Sequence, residues 1–428
     1  MNILMMTNTY TPIVGGLERS VRDFKAEFQK RGHRVLVAAP EFEDVPRGER
    51  DVIRLPAIQH FNGSDFSVKL PVPRQLSQAL LDFKPDIIHA HHPFLMGNTA
   101  LRLAHTHRVP LIFTHHTLFE QYTHYVPGDS PVIQRFVVEL STGYANLCEH
   151  VFAPSESVEQ LLRERGVERP ISVVPTGVDV TRFARGSRTA GRAALGLSPQ
   201  TFVVGHIGRL APEKNLEFLA RGVAAFLATN ASARFVVVGQ GPSEETIRQI
   251  MAEHGMADRV QLAGVLSGQR LIDAYRAMDV FAFASKSETQ GLVVTEALAA
   301  KVPVVAIDAP GVREVVEDGR NGRLLPDEQI DAFAEALAWV AARPGSAQRA
   351  LSKAAFETAE RFAMPRCADR ALMLYAGELN KRFLERRAQT RRWIVTLRRV
   401  KAEWEVLKTV TKATTAAVTG ATPPLTNG

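Results

Sequence analysis

Short apolar runs rich in Val, Ile and Phe alternate with amphipathic stretches along most of the chain. The runs at Asn2–Met6, Arg34–Ala38, Pro85–Ala90, Pro110–Thr114, His150–Ala153 and Ile171–Val174 are too short for helices and read as strands buried on both faces. Helical stretches separate them, which is the rhythm of a parallel sheet covered by helices. A second series follows at Phe202–Ile207, Arg234–Val238, Val260–Ala263, Val280–Ala284 and Pro303–Ile307. The pattern therefore predicts α/β architecture, with two tandem Rossmann-like, doubly wound halves.

Between the halves, residues 174–200 are rich in Gly, Pro and polar residues and weak in periodicity, marking a linker with an approach helix. From Ile330 to Ala342 and from Ala350 to Leu384 the pattern is helical. Beyond Lys381, Trp393, Leu397, Val400, Trp404 and Leu407 recur every three or four residues, one apolar stripe on a cationic helix. The expected domains are 1–180, 181–360, a helix at 361–384 returning toward the first half, and a basic amphipathic helix with a disordered end at 385–428.

Composition narrows the class. The 428 residues are 45% hydrophobic and 23% charged, which suits a globular protein of two or three domains. Cys148 and Cys367 stand far apart and outside metal-ligand spacing, consistent with a reducing compartment. "MNILMM" lacks a basic leader and reads as a first strand rather than a signal peptide. No stretch approaches the ~20 apolar residues that span a bilayer. Residues 381–412 carry eleven Lys or Arg and three Glu, an excess of +8 in a chain of net charge +7. That asymmetry points to a local anionic partner rather than to a globally basic binder.

Candidate chemistry lies in the loops that leave the strands, where open α/β sheets bind ligands. Gly15 and Gly16 precede a helix, and a helix N-terminus behind glycines suits a phosphate as well as it suits a plain turn. In "HIGRLAPEKN", Arg209 and Lys214 flank a turn and could clamp a diphosphate, or stand as solvated cations. Six histidines, His89, His91, His92, His115, His116 and His124, occur without the H-E-x-x-H spacing or paired cysteines of a zinc site. His116, just past a strand, suits a hydrogen bond to a polar substrate, with its neighbours structural. In "SKSETQGLVVTEALAAKVPVV", Glu288 and Glu296 bracket the entry of an apolar helix after Gly291 and Leu292. A phosphate would occupy the positive end of the helix while the carboxylates on either side accept from hydroxyls, the layout of a nucleotide sugar. Spacing alone equally allows Glu288 as a helix cap and Glu296 as a solvated face residue.

Taken in order, the Gly15-Gly16 loop, "HHT" at 115–117, "GRLAPEKN", "VVVGQGP", "VQLAG", "DVFAFAS" and "SETQGLVVTEALAAKVPVVA" resemble a retaining glycosyltransferase of family four, with the GT-B fold, over roughly residues 1–380. The resemblance implies that Gly15, Gly16, Arg209 and Lys214 hold the donor diphosphate, with backbone near Gly291 and Leu292. It implies Glu288 on the transferred sugar, Glu296 on the ribose and His116 beside the reacting carbon. His116, Arg209, Lys214 and Glu288 are thus the expected catalytic group. Many relatives have Gly or Phe after the first glutamate, where this chain has Thr289-Gln290. The implied reaction is front-face substitution with retention, in which the departing diphosphate takes the acceptor proton. No D-x-D occurs, so no metal is expected and no cofactor beyond the donor, a UDP-sugar by preference.

"THHTLFEQYTHYVP" with "SETQGLV" resembles, more narrowly, the bacterial diacylglycerol glycosyltransferases. Phe119, Tyr122 and Tyr125 would then line an acceptor groove, although aromatics also serve as core. The expected partners are a nucleotide sugar, a lipid acceptor and an anionic membrane surface met by residues 385–412, placing the protein in the cytoplasm at the inner face of the membrane. The same stripe also suits packing on the protein or a coiled-coil seam. A soluble or polysaccharide acceptor is the rival within the class. A non-catalytic nucleic-acid module is the rival outside it; that module would leave the ordered motifs unexplained, and no nucleic acid is expected.

Overall fold

The computed structural model describes residues 1–13, 15–45, 48–58, 68–69, 74–121, 130–388 and 408–416. The chain forms two compact units, one of Met1–Thr176 with Cys367–Gly428, the other of Gly177–Arg366. Among the described residues no helix is long and apolar enough to cross a membrane.

Unit 1 is built on seven parallel strands: β1 Asn2–Met6, β2 Arg34–Pro40, β3 Val52–Leu55, β4 Ile87–Ala90, β5 Leu111–Thr114, β6 His150–Ala153 and β7 Ile171–Val173. Their order is β3-β2-β1-β4-β5-β6-β7. The first strand lies inside the sheet, with later strands added on both sides of it, so the order reverses between β1 and β4. The strands read as continuous apolar runs because both faces are covered: β4, β5 and β6 are buried at every position. Tyr375, on the Met364–Ala388 helix, is fully buried among Phe28, His89 and Phe152. Lower on that helix, Glu378 meets His150 at 2.9 Å and Arg382 meets Glu149 at 2.6 Å.

Unit 2 has six parallel strands: β8 Phe202–Ile207, β9 Ala233–Val238, β10 Val260–Leu262, β11 Val280–Phe283, β12 Val304–Ile307 and β13 Gly322–Leu325. Their order is β10-β9-β8-β11-β12-β13, reversing between β8 and β11. Alternate residues serve opposite cores: Phe281 and Phe283 join one, Val280 and Ala282 the other. Ligands in such sheets sit outside the carboxyl ends of the strands at the order reversal. In unit 2 that point is flanked by the loops after β8 and β11, those carrying Arg209, Lys214 and Glu288.

Each parallel sheet gains one edge strand that the pattern did not give, β3 in unit 1 and β13 in unit 2, and a separate antiparallel pair joins Ala57–Ile58 to Val68–Lys69. Each edge strand is four residues long and carries an arginine, Arg54 or Arg323, which disguises it as a loop. The helical stretch from Ala350 to Leu384 is made of two helices, Gly345–Arg361 and Met364–Ala388. They part at Phe362 and Ala363, where Val178 donates to the Phe362 carbonyl and accepts from the Met364 amide. Pro365 falls in the first turn of the second helix, where its missing N–H costs nothing. Of the basic tail, residues 408–416 are helical, with Ala413 buried and Thr409 packed where any side chain at Gly143 would lie. Trp393, Leu397, Val400, Trp404 and Leu407 lie outside the described residues.

Candidate active site

In unit 2 the loop after β8 turns through Pro212–Lys214 and enters the Leu216–Thr229 helix at Asn215, a left-handed residue with φ 54°. Asn215 Nδ2 ties this turn to the Ala284 carbonyl at 3.3 Å, and Ser287 Oγ donates to the Glu213 carbonyl at 3.0 Å. The two loops are thereby stitched together, and Lys214 Nζ reaches Glu288 Oε1 at 2.6 Å. Burial works to raise the Glu288 carboxyl, but the Lys214 ammonium and hydrogen bonds from Lys214 and Ser285 prevail and hold it below the usual carboxylate range. Arg209 reaches across one turn to pair with Glu213.

Gly291 enters the Leu292–Ala299 helix in the left-handed region, φ 66°, with no side-chain cap on the first turn. Glu288 is therefore not a cap: its carboxylate is held by Lys214. Nor is Glu296 a solvated face residue. It is 2% exposed, and its Oε2 accepts from the Tyr275 hydroxyl at 2.6 Å. Uncapped backbone N–H groups, an ammonium and two oriented carboxylates make an environment for a ligand that carries both anionic and hydroxyl groups.

Unit 1 gathers polar groups at its own order reversal. Asn8, after β1, donates its backbone N–H to His92 Nδ1 at 3.1 Å, and its side chain accepts from the Met96 amide at 3.0 Å. His89 is spanned by the Tyr375 hydroxyl at 2.5 Å and Thr114 Oγ1 at 2.7 Å. Both rings are thus engaged by partners within unit 1. His91 Nδ1 lies 2.9 Å from Nε2 of the half-buried His116. His115 is buried behind it, edge-on to Phe113 and Phe119. Burial lowers the imidazoles of His89, His92 and His115 to about 3, and sends those of His91 and His116 well below their usual value. Phe119 packs edge-on against Phe94, ring centres 5.1 Å apart. Tyr122, Tyr125 and His124 lie outside the described residues.

Gly15 and Gly16 stand at the entry of the Gly16–Lys30 helix, again with no side-chain cap from Gly15. A carboxylate is already close by: any Cβ on Gly15 would lie 2.4 Å from Glu18 Oε2. Burial raises the Glu18 carboxyl, opposed by hydrogen bonds from Thr9 and from its own backbone amide.

Tyr275, His206 and Gly311 are inconspicuous in the sequence. His206, on β8, donates from Nδ1 to the Ala282 carbonyl at 3.1 Å, and burial lowers it to about 4. Gly311, φ 75°, lies so near the loop before Gly291 that a Cβ would stand 2.5 Å from the Gln290 nitrogen. Its place in "DAPGVRE", just past β12, is a signal of the kind that drew attention to the other glycines.

Two family descriptions match the chain: "Glycosyltransferase Family 4" over residues 14–182 and "Glycosyl transferases group 1" over residues 187–358. The chain is 30% identical over 376 residues to the alpha-monoglucosyldiacylglycerol synthase of Streptococcus pneumoniae, covering 85% of this chain and 83% of that one. It is 34% identical over 301 residues to the D-inositol 3-phosphate glycosyltransferase of Saccharomonospora viridis, covering 68% and 69%. Among solved structures, Anabaena HepE in complex with UDP and glucose superposes with a TM-score of 0.70 at 21% identity, covering 88% of this chain and 99% of that one.

Proposed function

The chain belongs to glycosyltransferase family 4, a transferase of sugar from a nucleotide donor, and from that premise we propose that it moves a hexosyl group from a UDP-sugar to the hydroxyl of diacylglycerol with retention at the anomeric carbon. The observation that carries the donor half is the Lys214–Glu288 pair beside the uncapped helix start at Gly291 and Leu292. Lys214 and Arg209 are positioned for the diphosphate, Glu288 for the sugar, and Glu296, oriented by Tyr275, for the ribose. Unit 1 is read as contributing Gly15 and Gly16 toward the donor, His116 toward the sugar, and Phe119, Tyr122 and Tyr125 toward the acceptor. The bond from the anomeric carbon to the diphosphate oxygen breaks as the bond to the acceptor oxygen forms on the same face. The acceptor proton passes to the departing diphosphate. Charge grows on that diphosphate in the transition state, so fixed cations there accelerate the step without a metal ion.

The lipid acceptor rests on the likeness to the Streptococcus pneumoniae diacylglycerol enzyme and on the cationic side chains of residues 385–412, read as a contact for the anionic inner face of the membrane. The likeness to an inositol phosphate glycosyltransferase favours a soluble acceptor as the second reading. Purified protein supplied with radiolabelled UDP-sugars, diacylglycerol vesicles and water-soluble polyols distinguishes them. Label in the lipid phase is the expected outcome; label in polyols alone overturns the lipid acceptor, and transfer from GDP-sugars alone overturns the donor.

A further inference from the structure

We propose that His91 is a positioning residue for His116: its Nδ1–H donates to His116 Nε2 and holds His116 as the Nδ1–H tautomer, a fixed hydrogen-bond donor for a sugar oxygen. The inference rests on the reading of His116 as the sugar-facing group of unit 1.

The geometry has three parts. The two nitrogens stand 2.9 Å apart and the rings stack with centres 5.2 Å apart, inclined by 23°. His91 is held on its other side: its ring lies 4.2 Å from that of His89, which Tyr375 and Thr114 fix from both ends. Its backbone amide donates to the Met6 carbonyl at 2.9 Å, so the strand end that carries the ring is fastened to β1. His91 is 1% exposed, and its orientation is set by the sheet rather than by solvent.

The proton's place follows from accounting for both nitrogens of His91. Burial keeps both rings neutral, so the bond between them contains one proton. Were that proton on His116 Nε2, His91 would carry its own proton on Nε2, a buried atom with no hydrogen-bond partner. His91 and His116 also line a small cavity with Phe24, Phe152 and Val174, and the hydroxyl groups on its wall are engaged elsewhere, Tyr375 and Thr114 with His89 and Ser20 with Thr176, none of them bonded to His91 Nε2. A buried N–H with nothing to receive it is the rarer arrangement; a bare ring lone pair is tolerated better. The proton therefore sits on His91 Nδ1, and His116 is left with its proton on Nδ1. An isolated imidazole side chain in water prefers Nε2–H, so the tautomer of His116 is imposed by its neighbour.

Nitrogen NMR of the full chain labelled at histidine nitrogens, with His116 assigned by its loss in His116→Gln, reads the tautomer directly. The expected spectrum shows His116 protonated at Nδ1, reverting to Nε2–H in His91→Leu. In that variant kcat should fall on the order of 10–100-fold with the donor KM little changed, since a misaimed group costs rate before it costs affinity. His91→Asn, whose amide N–H can stand near the place of Nδ1–H, should restore both tautomer and rate; that recovery separates positioning from damage to the fold. A wild-type His116 protonated at Nε2, or a tautomer unmoved in His91→Leu, overturns the proposal. If His116→Gln retains full activity, the reading of His116 fails, whatever the tautomer shows.

Discussion

At Lys214 a single ammonium decides the ionisation of a neighbour. Burial pushes the Glu288 carboxyl up, and chiefly the charge and hydrogen bond of Lys214, with help from Ser285 and His206, bring it down. Replacing Lys214 by Ala removes the cation expected to meet the leaving diphosphate and leaves Glu288 half-solvated and uncompensated. We predict that kcat falls on the order of 100–1000-fold with a smaller change in donor KM, as for other groups that act on transition-state charge. Steady-state kinetics with the UDP-sugar measures it, and unchanged kinetics would remove Lys214 from the site. The sequence made this pair suspect, since both residues fall just past strands, but it could not show that the two touch across 74 positions. Glu296 was less legible still. Its neighbour in space, Tyr275, lies on another helix, and nothing in the spacing of the two glutamates foretells a phenol bonded to the second.

At the scale of elements, the strands named from the pattern are all present, with ends that coincide or differ by at most two residues. Central parallel strands are legible because both faces are apolar. Edge strands such as β13 are not: Arg323 lies beside Trp339, and Gly322 is there because a Cβ would stand 1.8 Å from the Val304 carbonyl. A similar close approach governs Gly311, where the loop after β12 presses on the loop before the Leu292–Ala299 helix. Gly311→Ala must relieve both a left-handed φ of 75° and an approach of 2.5 Å to the Gln290 backbone. We predict a loss of about 1–3 kcal/mol in stability, as for overpacking elsewhere. Donor KM should rise about 10-fold as the Gln290–Gly291 backbone shifts, in keeping with about 1.4 kcal/mol of lost binding. Thermal melts with and without the UDP-sugar test both parts, and a wild-type donor affinity would show that this loop does not support the site.

At the scale of the whole molecule, five imidazoles of unit 1, His89, His91, His92, His115 and His116, are each held below the usual value, chiefly by loss of solvent. A group whose folded value is depressed binds fewer protons folded than unfolded, so stability falls as pH drops below the unfolded imidazole value. The window runs from about pH 6.5 down toward 3, at about 1.4 kcal/mol per pH unit for each imidazole. Glu18 and Glu149, whose carboxyls burial raises, work in the opposite sense but are fewer. Urea midpoints followed by circular dichroism should therefore be lower at pH 5 than at pH 7; equal midpoints would mean that the histidines are charged in the folded state. None of this was readable from the histidine-rich stretch itself, because a run of imidazoles in sequence is silent about which ones the sheet encloses.

The path of the chain sets a further constraint, on synthesis. Unit 1 is made of the first 176 residues together with residues from Cys367 onward, whereas unit 2 is one uninterrupted stretch. As the polypeptide leaves the ribosome, unit 2 has all of its residues by Arg366. Unit 1, although begun first, must wait: the phenol that fixes His89 and the carboxylate that meets His150 are on a helix not yet made. The later-encoded unit is thus the first that can close, and the earlier one waits for the Met364–Ala388 helix to be made. A fragment ending near residue 176 keeps the seven strands and loses the residues that seal them, while the stretch from 177 to 366 is a self-contained piece whose two ends are joined through Val178, Phe362 and Met364.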